Sequence, residues 1–156
     1  MTSPTPHYRL KRFDFELAFD MANSGIEDIS ALIDPDHPRV LTDVDEDEES
    51  MEAFETLVET ERGLFLPSKY ELNLGTSLVF EFVETHLPEH EEKIRGFFRK
   101  RGACGRMKDF LMEIGRLEDW YAFEEKARRE AFDRWAEEHG VEWIEEDPPP
   151  GADEYL

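Results

Sequence analysis

"GRMKDFLMEIGRLEDWYAFEEKARREAFDRW", residues 105–135, decides the fold class. It holds two tryptophans, one tyrosine and three phenylalanines among nearly balanced charges. Met107, Phe110, Leu111 and Ile114 recur at helical spacing, with Ala103 and Cys104 continuing the stripe upstream, and Gly115 closes it. Beyond the glycine, Trp120, Phe123, Ala127, Ala131 and Trp135 form a second line, with Leu117, Tyr121 and Phe132 beside it, running to about His139. Apolar residues three and four apart make one face of a helix, and such a face packs into a core. The stretch is therefore two amphipathic helices joined at a glycine. Its aromatics are read as core, and Cys104 as a buried, inert thiol.

Working outward, the same helical logic covers most of the chain. In "GTSLVFEFVETHL", positions 75, 78, 79, 82, 83 and 86 share a face, filled mainly by Leu78, Val79, Phe82 and Val83. "PEHEEKIRGFFRKRG" has Pro88 and acids at its start, bases at its end and Gly102 at its exit, which suits a helix and its dipole. "RFDFELAFDMANSG" predicts a short helix capped by Asp14 and ended at Gly25. Between these, residues 29–42 alternate around the turn chemistry of Asp34-Pro35-Asp36-His37-Pro38, which predicts a β-hairpin, and "GLFLP" adds a short third strand ended by Pro67. The expected fold is α+β and mainly helical, with about five helices and one small antiparallel hairpin or short sheet. Residues 1–10 read as a loose arm, 11–145 as one globular domain and 146–156 as an acidic, proline-rich tail.

The 156-residue chain carries a net charge of −21, unevenly spread. Residues 13–85 hold 20 acids and three bases; residues 87–135 hold 11 acids and 12 bases; residues 136–156 hold eight acids and no base. Such a field repels nucleic acid and anionic membrane and attracts basic partners. One cysteine excludes an internal disulfide. There is no apolar run of the length a signal peptide or a membrane helix needs, so a cytoplasmic setting is expected.

Residues 98–143, "FRKRGACGRMKDFLMEIGRLEDWYAFEEKARREAFDRWAEEHGVEW", carry a further pattern. Gly102, Ala103, Arg106, Lys108, Asp109, Trp120, Phe123, Trp135, Gly140 and Val141 stand where a family of small acidic bacterial proteins has its motif. The stretch resembles number 158 of the uncharacterised-protein-family series. Cys104 and Met107 replace that family's usual aromatics, and "SALIDPDHPRVL" lacks the tyrosines and turn glycine of its hairpin. The resemblance implies a bacterial, intracellular, single-domain protein. It implies no activity.

No constellation announces chemistry. Asp43, Asp45 and Asp47 have the 1-3-5 spacing of a calcium loop, but the sixth position is Glu48 and the twelfth Phe54, where glycine and glutamate are required. His86 and His90 are four apart, yet Pro88 between them breaks the helix face. Nucleophile elbow, phosphate loop and dinucleotide fingerprint are all missing, and no cofactor or metal is expected. Two charged features remain. From Asp43 to Glu61 there are ten acids and no base, and the second half predicts a helix with Met51, Phe54, Leu57 and Val58 towards the core and Glu52, Glu55 and Glu59 towards water. From Lys93 to Lys108 there are seven bases in 16 residues, including Arg95, Arg99, Arg101, Arg106 and Lys108.

The leading expectation is a non-catalytic interaction module that binds a basic protein surface. One alternative is a nucleic-acid-related role, either as a DNA-mimic inhibitor of a DNA-binding protein or by contact through the Lys93–Lys108 cluster. Another is an enzyme with a dispersed active site.

Overall fold

The computed structural model describes residues 7–25 and 28–144. The chain is α+β and mainly helical, with six α-helices among the described residues. It divides into two compact units. One is formed by the chain up to Ser68 and again from Trp135; the other is Lys69–Arg134.

The first unit opens with β1 (Tyr8–Lys11), which runs directly into α1 (Arg12–Ala22). The helix therefore starts at Arg12, and its N-cap, Lys11, makes no side-chain cap bond. Asp14 lies inside the first turn, so the expected Asp14 cap does not form. The entering strand fixes the backbone there instead. β2 (Ala31–Ile33) and β3 (Val40–Thr42) form the expected hairpin, with Leu32 opposite Leu41. β4 (Leu64–Phe65) joins the other edge of β2, giving the antiparallel order β3-β2-β4. Gly63 leaves room there: a Cβ atom would come to 2.9 Å from a methyl of Leu32, and that side chain would have to shift. α2 (Glu48–Glu59) covers this sheet, burying Leu57 against Leu32 and Leu41, with Ala53 and Phe54 beside them.

A second, two-stranded sheet was not expected. β5 (Val141–Ile144) pairs in parallel with β1, Tyr8 opposite Val141 and Lys11 opposite Ile144. The arm predicted over residues 1–10 is thus ordered from Tyr8 onward: Tyr8 and Leu10 point inward while Arg9 and Lys11 face water. The predicted tail, 146–156, lies outside the described residues, as do residues 1–6. Phe15 is fully buried and brings this end together, its ring 5.2 Å from both Trp135 and Trp143.

The second unit is helical. α3 (Thr76–His86) buries Leu78, Val79, Phe82 and Val83, as its spacing predicts. A 3-10 turn (Pro88–His90) leads into α4 (Glu91–Phe97). The single helix expected from Pro88 onward thus begins as a tighter turn. α5 (Ala103–Glu113) ends at Gly115, whose φ of 73° is the left-handed geometry that glycine adopts without strain. α6 (Leu117–His139) follows, and its residues from Trp135 belong to the first unit.

Trp120, Phe82, Phe110 and Leu111 share one buried cluster, and Phe123 packs against it half-exposed. The aromatics of residues 105–135 are core, with Tyr121 the exposed exception. Cys104 is exposed, contrary to expectation. It stands on the same stripe as Met107 and Leu111, but in the first turn of α5, where the stripe runs past its packing surface.

The Trp120 indole N–H is buried and has no hydrogen-bond partner among the described residues. An unpaired buried donor costs about 1–3 kcal/mol, so the ring's apolar area, and not its nitrogen, stabilises the site. Trp120→Ala is expected to cost about 3–5 kcal/mol in urea denaturation, whereas Trp120→Phe should stay within about 1 kcal/mol of wild type, because losing the orphaned donor offsets the smaller ring.

Candidate functional site

The acidic run splits into two chemically distinct halves. Its aspartates build turns. The Asp43 carboxylate accepts the Ser30 N–H at 3.1 Å; Asp45 accepts the Thr42 N–H and hydroxyl, each at 3.0 Å; Asp47 caps α2 through the Ser50 N–H at 3.0 Å. The three carboxylates serve separate local backbones rather than a common centre. Among the described residues no group of three or more His, Cys, Asp and Glu side chains is arranged to hold a metal ion.

Its α2 glutamates extend into water. Glu48, Glu49, Glu52, Glu55 and Glu59 are exposed on α2 and form no ion pair with described residues. Glu48, Glu52, Glu55 and Glu59 follow i, i+4, i+7, i+11 and so make one stripe. Glu52, Glu55 and Glu59, the candidate interaction residues, are brought together as expected. The apolar side differs. Leu57 is buried and Phe54 half-buried, but Met51 and Val58 are more than 40% exposed. The helix seats on the sheet through Ala53 and Leu57, which rolls Met51 and Val58 out of the contact.

Beside the stripe lies a pocket of about 330 Å³ between α2 and the hairpin turn. Glu49, Glu52, Ala53 and Thr56 form one wall; Asp34, His37, Arg39 and Arg62 are among the others. Asp34 is 4% exposed and is the hub of the turn. It accepts the Asp36 N–H at 2.8 Å and the Arg39 Nε–H at 2.9 Å, with His37 Nδ1 3.4 Å away. Burial pushes the Asp34 carboxyl up, but the Asp36 amide and the Arg39 guanidinium, aided by His37, outweigh it and hold the group below the usual carboxylate range. Asp36 in turn pairs with Arg62 at 2.8 Å. The place of Asp34 in a turn is legible in the sequence; its burial and ion pairing depend on how the hairpin folds back on itself.

The basic cluster is also divided. Arg95 bridges Glu84 at 2.8 Å and Glu91 at 3.3 Å and covers the Phe80 ring. Arg106 donates to the carbonyls of Phe97 and Lys100, so it caps the end of α4 from the first turn of α5. Lys108 is half-buried and reaches towards Tyr121. Arg99 and Arg101, by contrast, are exposed and make no side-chain bond to described residues. Of these five bases, Arg95 and Arg106 are thus engaged within the fold, and Arg99 and Arg101 are the ones left in water.

His86 and His90 serve as aromatic packing. The His86 ring lies 5.1 Å from Phe82, and the His90 ring 5.2 Å from Phe110. The second unit also holds a groove of about 800 Å³ that sequence reading missed. Leu78, Phe82, Phe123 and Ala127 give it an apolar floor; Glu81, Lys126, Glu130 and Arg134 give it charges of both signs. Its residues are scattered from 72 to 134, so no local motif marks it.

Comparison with protein-family models, with curated proteins and with solved structures finds no match.

The depressed Asp34 group stabilises the fold above its ordinary titration near pH 4 and loses that contribution as pH falls through its lower folded value. Asp34→Asn should therefore cost about 1–2 kcal/mol at pH 7, the worth of charged hydrogen bonds discounted for the half-exposed Arg39, and the gap from wild type should close below about pH 4. Separately, the unpaired α2 glutamates repel one another. Raising monovalent salt from about 10 to 150 mM shortens the screening length from about 30 to 8 Å, and the melting temperature is expected to rise by about 2–4 °C. A fall would mean that attractive pairs outweigh the repulsion.

Proposed function

We propose that this protein is a non-catalytic interaction module whose α2 glutamates dock on a Lys/Arg-rich protein surface. The observation that carries this reading is the stripe Glu48–Glu52–Glu55–Glu59, exposed and left without a basic partner among the described residues, next to exposed Met51 and Val58. Carboxylates held on an ordered helix steer a basic partner and weaken sharply with salt, because steering acts on the encounter rate.

The length of the stripe favours a protein partner over imitation of DNA. From Glu48 to Glu59 the helix rises about 16 Å. At about 3.4 Å per nucleotide that is some five steps of one strand, half a turn of duplex. Contact with nucleic acid through the bases is supported only at the exposed Arg99–Arg101 turn, since Arg95 and Arg106 are engaged within the fold.

The proposal includes the family resemblance of residues 98–143, and with it a bacterial, cytoplasmic setting. What supports it is the structural weight of the motif positions: Arg106 caps α4, while Trp120, Trp135 and Val141 are buried. No described helix is long and apolar enough to cross a membrane.

The test is affinity capture from the native cell extract with wild type and with a variant in which Glu52, Glu55 and Glu59 are all replaced by Lys. The variant should keep its helix content, as exposed charges contribute little to stability, and should lose most of the partners that wild type retains at low salt. Wild-type capture should itself weaken at about 150 mM salt. Equal recovery of the same partners by both proteins would reduce the stripe to a solubility feature.

A further inference from the structure

The exposed side of α2 is not uniformly acidic. Met51, Phe54 and Val58 stand at i, i+3 and i+7 and so form a continuous apolar strip. Phe54 is half-buried beside the Leu32–Leu41–Leu57 cluster, while Met51 and Val58 are 44% and 42% exposed. Glu55 follows Met51 by four residues and precedes Val58 by three, which puts the glutamate stripe directly alongside the apolar strip. The far edge of that stripe meets the pocket that Glu49 and Glu52 line. There Asp34 and Asp36 are already paired with Arg39 and Arg62, so the glutamates are the charges left for a partner.

We propose that α2 receives a basic amphipathic helix, whose apolar side chains cover Met51, Phe54 and Val58 and whose Lys and Arg side chains lie over Glu48, Glu52, Glu55 and Glu59. This rests on the interaction reading above and narrows it from a basic surface to a helix with one apolar stripe. The complementarity is twofold. A uniformly basic loop would neutralise the glutamates and leave the strip wet; a second copy of this chain would set like charges against one another. A helix laid on a helix presents its residues at the same i, i+3, i+4, i+7 spacing as the strip and the stripe. Methionine suits the contact because its unbranched, polarisable side chain adapts to the shape of what it meets.

The test uses two synthetic 18-residue peptides of identical Leu and Lys composition, one with leucines on a single helical stripe and one scrambled so that no stripe forms. Binding to the full chain is measured by fluorescence anisotropy at low salt. Wild type should bind the striped peptide about tenfold tighter than the scrambled one, a preference set by the apolar contact. The double variant Met51→Gln, Val58→Gln, with helix content checked by circular dichroism, should lose that preference but keep the salt-sensitive binding common to both peptides. The Glu52, Glu55, Glu59→Lys variant should weaken both. Equal binding of the two peptides by wild type, or a preference that survives in the double Gln variant, overturns the amphipathic partner while leaving the charge reading intact. If the Lys variant also binds as wild type does, or neither peptide binds wild type, both readings fall.

Discussion

The parallel pairing of Tyr8–Lys11 with Val141–Ile144 is the constraint on which the first unit depends. It joins chain segments about 135 residues apart, marked by the His7–Glu142 contact at 2.8 Å. Closing a loop of that length costs about 4 kcal/mol in chain entropy, and a four-residue ladder in water does not recover it. Burial does. Tyr8, Leu10 and Val141 are buried at the ladder, and Phe15 packs between Trp135 and Trp143 just behind it. At about 1.5–3 kcal/mol for each fully buried large side chain, this group exceeds the closure cost. The C-terminal end of α6 and the start of α1 are thereby fixed in the same unit.

Within that unit the charges are sorted by side-chain length. Asp43, Asp45 and Asp47 have short carboxylates that reach the nearby backbone, so each closes a turn or caps a helix. The glutamates that follow are one methylene longer and better helix formers, and they extend into water along α2. A run that looks uniform by charge therefore holds a structural half and a half left for contact. The bases divide in the same way. Arg95 and Arg106 present fork-shaped donors to carboxylates and carbonyls of the second unit, a use for which Lys is less suited. Arg99 and Arg101, on the turn between α4 and α5, stay in water.

The apolar strip on α2 arises from a mismatch of area. The three-stranded sheet has strands of two or three residues, and it offers α2 little more than Leu32 and Leu41 to sit on. A twelve-residue helix with four large apolar side chains cannot bury them all on so small a platform. Leu57 takes the centre, and Met51 and Val58 are left at the edge.

The sequence by itself determined what depends on neighbours within a few residues. The helical periods around Leu78–Val83, Met107–Leu111 and Trp120–Trp135, the exit at Gly115 and the hairpin turn at Asp34–Pro38 were all legible, because spacing and turn chemistry act locally. So was the outward stripe of Glu52, Glu55 and Glu59. Tertiary structure alone decided the rest. β1 and β5 are four residues each and lie at opposite ends of the chain, so neither carries a periodic signal strong enough to name its partner. The exposure of Cys104, Met51 and Val58 was not legible either, because periodicity says which face of a helix is apolar but not how far the opposing surface extends. Likewise, whether a base such as Arg95 is free or paired is settled by which carboxylates the fold brings within about 3 Å, a distance between elements that no spacing along the chain encodes.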